Sequence, residues 1–187
     1  MLPEQIASHW NAAGKANGYM GKFWGIFLLP AVMAGMFLIY FFIPKLDPLK
    51  KNIDLFRSTY NSFWIWMFAF FAYIFGLSIM WNVGYIFNFT IAIVPAIAAL
   101  FYIIGGVLEK SKRNWFVGIR TPWTLSSDIV WDKTHKLGGK LFKIVAIVSL
   151  LGMFVPDSYI IGMTVIPVVL VTVVTMLYSY LEYRKLN

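Results

Sequence analysis

Four side chains in this 187-residue chain have types and spacings that could do chemistry: Arg120, Asp128, Asp132 and His135. The last three stand at intervals of four and three, so a helix would carry them on one face, where a carboxylate beside an imidazole makes an acid–base pair. Arg120 adds a planar donor fork suited to phosphate or carboxylate. A solvated polar helix face has the same spacing, and that plainer reading is preferred. His-Glu-x-x-His, Gly-x-Ser-x-Gly and a phosphate-binding Gly-rich loop before Lys-Ser/Thr are all missing from the sequence. There is no cysteine, and three apolar runs separate His9 from His135, placing them on opposite faces of a membrane. The sequence therefore calls for no metal, no cofactor and no catalysis.

The elements that must position these residues are membrane helices. At 60% hydrophobic and 13% charged, with 17 Phe and 8 Trp, the chain exceeds the apolar share of a soluble domain. Apolar runs at 23–43, 62–83, 86–108, 142–156 and 159–181 approach the roughly 20 residues that span a bilayer as helix. The fourth run is short, and Leu141 and Lys143 extend it to the headgroups. Period-2 alternation is absent, which removes the outer-membrane barrel. The expected fold is all-α: a polytopic bundle of five spanning helices plus an interfacial helix near 127–137. Asn82-Val83-Gly84 and Pro156-Asp157-Ser158 are short enough to force antiparallel hairpins. Ala31 with Gly35, Ala72 with Gly76 and Ala92 with Ala96 offer close helix approach, and Pro30, Pro95 and Pro167 fall inside helices.

Charge sets the orientation. Every Lys and Arg except Lys15 and Lys22 falls in 45–61, in 109–143 or in the C-terminal tail, which share one side of a five-helix path. The positive-inside rule makes that side cytoplasmic, so the N-terminus lies outside and the C-terminus inside a cell membrane. The net charge of +8 follows from this topology and from attraction to anionic lipid, and it does not require direct contact with nucleic acid. No Asp, Glu, Arg or His falls at mid-membrane in these runs, which argues against an ion-coupled carrier.

The chain thus divides into a lid (1–22), three helices (23–108), a cytoplasmic loop (109–140), and a helical hairpin with tail (141–187). In the loop, Trp115-Phe116-Val117 returns to the interface, Gly118 permits a tight turn, and Pro122 pushes Thr121 out of helical geometry. Ser126 or Ser127 caps a helix opening at Asp128. Ile129, Val130, Trp131 and Leu137 let it lie on the membrane until Gly138-Gly139 breaks it. In the lid, His9-Trp10-Asn11 followed by Gly14 and Gly18 predicts a compact structured loop, too polar to insert.

Two motifs carry a family resemblance. Gly118-Ile119-Arg120-Thr121-Pro122-Trp123-Thr124-Leu125 with Val130-Trp131, and Leu2-Pro3-x-x-Ile6-x-x-His9-Trp10-Asn11-x-x-Gly14-x-x-x-Gly18-Tyr19-x-x-Lys22, resemble the two signatures of the SdpI family. Ala7 stands where relatives often have proline, Asn17 where many have aspartate, and relatives usually carry one more helix before Leu2. The resemblance implies immunity and signalling without catalysis. Such a protein guards a producing cell against its own secreted membrane-active peptide and, when engaged, holds a cytoplasmic repressor protein at the membrane. It implies peptide contact outside by His9, Trp10 and Asn11. Recognition or output inside would fall to Asn114, Gly118, Arg120, Thr121, Pro122, Trp123, Thr124 and Trp131. Two other readings stay open: a channel or carrier for a neutral or lipid-like solute, and a membrane enzyme acting on lipid headgroups with Asp132 and His135 beside Arg120.

Overall fold

A computed structural model describes residues 1–186, and Asn187, the end of the expected tail, lies outside the described residues. The order is β1 (Gln5–Trp10), β2 (Ala16–Gly21), α1 (Lys22–Leu46), α2 (Lys50–Leu55), α3 (Arg57–Asn82), α4 (Phe89–Lys110), α5 (Pro122–Ser126), α6 (Asp128–Leu151) and α7 (Asp157–Arg184), with a single 3-10 turn at Gly152–Phe154. Helices α1, α3, α4, α6 with its 3-10 turn, and α7 are long and apolar enough to cross a membrane. Helix is the form that lets a lone apolar segment satisfy its own backbone in lipid, so this all-α polytopic bundle follows from the five apolar runs. Large apolar side chains such as Phe37, Leu38, Val173 and Leu177 stay exposed because hydrocarbon, not water, is their solvent.

Helix α6 corrects one expectation. Gly138 and Gly139 do not end an interfacial helix, because α6 runs unbroken from Asp128 through both glycines. They serve contact with neighbours. A Cβ on Gly139 would lie 2.7 Å from the Gly105 carbonyl oxygen of α4, and one on Gly105 would lie 2.6 Å from that of Gly139. A Cβ on Gly138 would strike Ile119 at 2.5 Å. Backbones thus meet where small residues allow it, and in lipid no water competes for the helix bonds that glycine would otherwise weaken. With its 3-10 turn the span covers 27 residues. At 1.5 Å per residue that is about 40 Å against about 30 Å of hydrocarbon, so the first turns of α6 sit at headgroup depth. The stretch expected as a separate interfacial helix is the start of the fourth spanning helix.

The other small-residue pairs behave differently. Nothing stands within 4 Å of where a Cβ would sit on Gly35 or Gly76, so those positions make no close approach. Helices α1, α4 and α7 continue through Pro30, Pro95 and Pro167, and α1 also contains Pro44.

The N-terminal segment is a β-hairpin. Gln5, Ile6 and Ala7 pair antiparallel with Gly21, Met20 and Tyr19, and an irregularity around Ser8 shifts His9 opposite Gly18. At the far end of the bundle, Ile43, Ile53, Phe56, Tyr60 and Trp64 form a buried cluster that joins α1, α2 and α3, with Val117 packed against it.

Candidate functional site

The polar chemistry of residues 111–127 is spent mostly on holding the loop together. Asn114 is fully buried and uses all of its amide: Nδ2 donates to the carbonyls of Lys112 and Val117 at 2.8 Å each. Its Oδ1 accepts from the amides of Phe116 at 2.9 Å and Val117 at 2.6 Å. The α1–α2 corner fastens the loop from outside. Asp47, 2% exposed, accepts from the amides of Leu49 at 2.6 Å and Trp115 at 2.9 Å, while Asn52 Nδ2 donates to the Arg113 carbonyl at 2.7 Å. Buried carboxylates and amides need such partners to offset desolvation.

Gly118 is the hinge of the motif. Its φ of +130° disfavours an L side chain, and a Cβ there would collide with His135 Nε2. That closeness lets the Ile119 amide donate to His135 Nε2 at 2.9 Å, while His135 Nδ1 pairs with the Trp131 carbonyl at 2.8 Å. A carbonyl only accepts and an amide N–H only donates, so the two bonds fix the neutral Nδ1–H tautomer. The imidazole is 1% exposed and stacks on Trp131, with centroids 3.9 Å apart. Trp131 is fully buried and donates from Nε1 to the Ser111 carbonyl at 3.1 Å.

Pro122 opens α5 and Thr121 caps it. The Thr124 amide donates to Thr121 Oγ1 at 3.1 Å, and the Thr121 amide returns a bond to Thr124 Oγ1 at 2.9 Å. Thr124 Oγ1 donates to the Ile119 carbonyl at 2.8 Å. Thr121 Oγ1 lies 3.0 Å from Ser179 Oγ, which itself donates to the Met176 carbonyl at 2.7 Å, so Thr121 is the donor across to α7. Ser127 caps α6, as the sequence suggests.

The charged residues spread out. Arg113 Nε donates to Asp128 at 2.7 Å, Lys112 pairs with Asp132 at 3.6 Å, and Lys133 with the nearly buried Glu182 of α7 at 2.6 Å. Lys185 also holds Glu182, and that bond raises the Lys185 ammonium above its ordinary value. Lys143 of α6 bonds Glu109 of α4 at 2.6 Å beside the glycine contact. Asp128, Asp132 and His135 therefore have three separate sets of partners. The two carboxylates match a solvated face, whereas His135 is inside. Arg120 donates to the Trp115 carbonyl at 2.6 Å and is otherwise exposed, and Trp123 leans on Tyr180 of α7 with centroids 5.1 Å apart. Of the eight motif residues, Arg120, Pro122 and Trp123 offer surface, whereas Asn114, Thr121, Thr124 and Trp131 are buried and Gly118 holds the turn. Asp47 and Asn52 of the α1–α2 region and Ser179 and Glu182 of α7 complete the site from a distance in sequence, and no local motif announces them.

The opposite end is organised by asparagines. Asn82, at the end of α3, accepts from the Ala7 amide at 2.7 Å and donates to the Ala7 carbonyl at 3.1 Å, acting as one more strand partner for β1. Asn88 caps α4 and donates to Asp157 of α7 at 2.8 Å. Thr90 Oγ1 donates to the Asn11 carbonyl at 3.1 Å, and Trp10 stacks on Phe89 at 3.7 Å. His9 pairs with Asn17 at 2.6 Å and remains exposed, as does Asn11. Beneath the hairpin lies a pocket of about 460 Å³, roofed by β1 and Met20 and walled by mostly apolar side chains of α1, α3, α4 and α7.

A multi-pass helical membrane protein, with a clamped hairpin at one end and a self-bonded polar loop at the other, is thus the class defined by fold and site. Residues 110–179 match the model of the SdpI/YfhL protein family, and residues 1–34 match a domain of unknown function, DUF1648. The C-terminal part of the chain is thus similar to the SdpI/YfhL family. The chain is 28% identical to the immunity protein SdpI of Bacillus subtilis (strain 168) over 187 residues, covering 100% of this chain and 87% of that protein. No solved structure matches it.

Proposed function

We propose that this chain is a membrane immunity protein that protects its cell against a secreted membrane-active peptide, engaging the peptide at the hairpin and signalling at the loop. The observation that carries the reading is the similarity along the entire chain to a protein named for immunity. The hairpin end faces outside and the loop end the cytoplasm, supported by the gathering of Lys and Arg at the loop end. His9 and Asn11 present exposed polar groups for peptide contact, with Trp10 behind them. Arg120 and Trp123 present the output surface, where a cytoplasmic repressor protein would be held. Helix α7 supports communication between the ends, since it touches Asn88 through Asp157, the loop through Ser179, and the start of α6 through Glu182.

The test uses cells deleted for the gene and challenged with peptides secreted by the parent strain. The deletion becomes sensitive, the wild-type gene restores growth, and His9→Ala with Asn11→Ala reduces protection. Arg120→Ala with Trp123→Ala keeps protection but loses the transcriptional response. Equal growth of deletion and parent under every secreted peptide would overturn the immunity reading.

A further inference from the structure

We propose that the apolar cavity beneath the hairpin is a binding site for one acyl chain of a phospholipid from the leaflet at the hairpin end. Its walls come from Leu28 and Leu29 of α1, Ile93 and Ile97 of α4, and Ile160 and Val165 of α7. No Asp, Glu, Lys or Arg is among the described residues lining it; Ser8 and His9 line it from the hairpin, and the helix walls are apolar apart from Ser78, Thr90 and Thr164, a lining that suits an uncharged hydrocarbon. Thr164 turns its hydroxyl to its own helix, donating to the Ile160 carbonyl at 3.0 Å, and so adds no polar demand inside. A volume of about 460 Å³ lies in the range of ligand cavities. The pocket is open at its side, where Leu28 and Val165 are exposed, so hydrocarbon from the surrounding leaflet can enter it and restore the dispersion contacts its lining lacks. Between helices that span a bilayer, the apolar matter at hand is lipid hydrocarbon.

The rim supplies the second half of the argument. Trp10 lines the cavity where the hairpin covers it, yet its indole N–H is buried without a hydrogen-bond partner among the described residues. The atom is closed off as the side chains stand, so it meets an acceptor from outside the chain only when the indole shifts toward the rim, and the bond gained there offsets that shift. Tryptophan sits at the boundary between hydrocarbon and headgroups, the depth at which a phospholipid carries its ester carbonyls. An acyl chain in the cavity brings such a carbonyl to the rim, and its apolar body meets the six aliphatic side chains below. The inference does not depend on which end faces the cytoplasm or on peptide binding.

The full chain, delipidated in detergent, is titrated with a phosphatidylglycerol and read by native mass spectrometry, with thermal unfolding as the control for folding. The expected result is one lipid retained beyond a random distribution of adducts. Filling the cavity with Ile93→Phe and Ile97→Phe removes it, and Trp10→Phe weakens it about tenfold, equivalent to 1.4 kcal/mol. In parallel, wild-type protein in bilayers is photo-crosslinked with a phospholipid bearing a diazirine on its acyl chain, which requires no variant to fold. Adducts concentrate on residues 24–29 and 90–97. Random adducts in wild type, or labelling no denser there than on the exposed Val173, Val174, Met176 and Leu177, would overturn the proposal.

Discussion

The two ends of this protein solve opposite problems with similar motifs. At the loop end, a run of polar residues is folded inward: Asn114, Thr121, Thr124 and His135 bond the backbone of the loop, and Thr121 reaches α7 through Ser179. At the hairpin end, the polar groups of His9 and Asn11 remain outside, a few asparagines fasten the strands to the helix ends, and an apolar cavity lies beneath. The difference teaches that a distinctive motif is not in itself a recognition surface. One end uses its motif to become rigid, leaving a small outward patch. The other keeps its motif's polar groups accessible over a less densely bonded frame.

Mutation can break this contrast. The largest expected effect is from Gly118→Ala, which meets both the positive φ and the collision with His135. It should lower stability by about 3 kcal/mol and reduce the recovery of monodisperse protein in detergent thermal melts. A wild-type melting temperature would refute the rigid-loop description. Asn114→Ala comes next, at about 2 kcal/mol, since it strands two amides and two carbonyls in a buried turn.

At the hairpin end, Asn82→Ala should be milder in global melts, about 1 kcal/mol, because one strand can loosen without unfolding the bundle. Its sharper mark is local: faster protease cleavage within residues 11–15 while the helices stay intact. If cleavage is unchanged, Asn82 is not what holds the hairpin. The smallest change is from His9→Ala, expected within about 0.5 kcal/mol of wild type because the side chain is exposed and bonds only Asn17. A large destabilisation there would erase the distinction between a structural loop end and an accessible hairpin end.

Much of this was legible in the chain itself, for reasons that can be named. Five apolar runs determined five spanning helices, because lipid leaves an isolated segment no other way to satisfy its backbone. Ser126 or Ser127 before Asp128 marked the start of α6 through local capping, whereas the short α5 that opens at Pro122 was not read from the chain. Local pattern misled at Gly138-Gly139, where the same glycines that can end a helix instead admit Gly105 of α4. It also gave no hint that Gly35 and Gly76 would face open space.

Only the tertiary structure decided which polar residues face inward. His135 shares its helical spacing with Asp128 and Asp132, yet it is buried because Gly118, seventeen residues earlier, brings the Ile119 amide onto its ring. Asp47 of the α1–α2 corner and Ser179 and Glu182 of α7 entered the site from far along the chain. Spacing along one helix says which side chains share a face. What covers that face depends on the return of the chain, and hydrogen-bond partners separated by dozens of residues leave no periodic trace in the sequence.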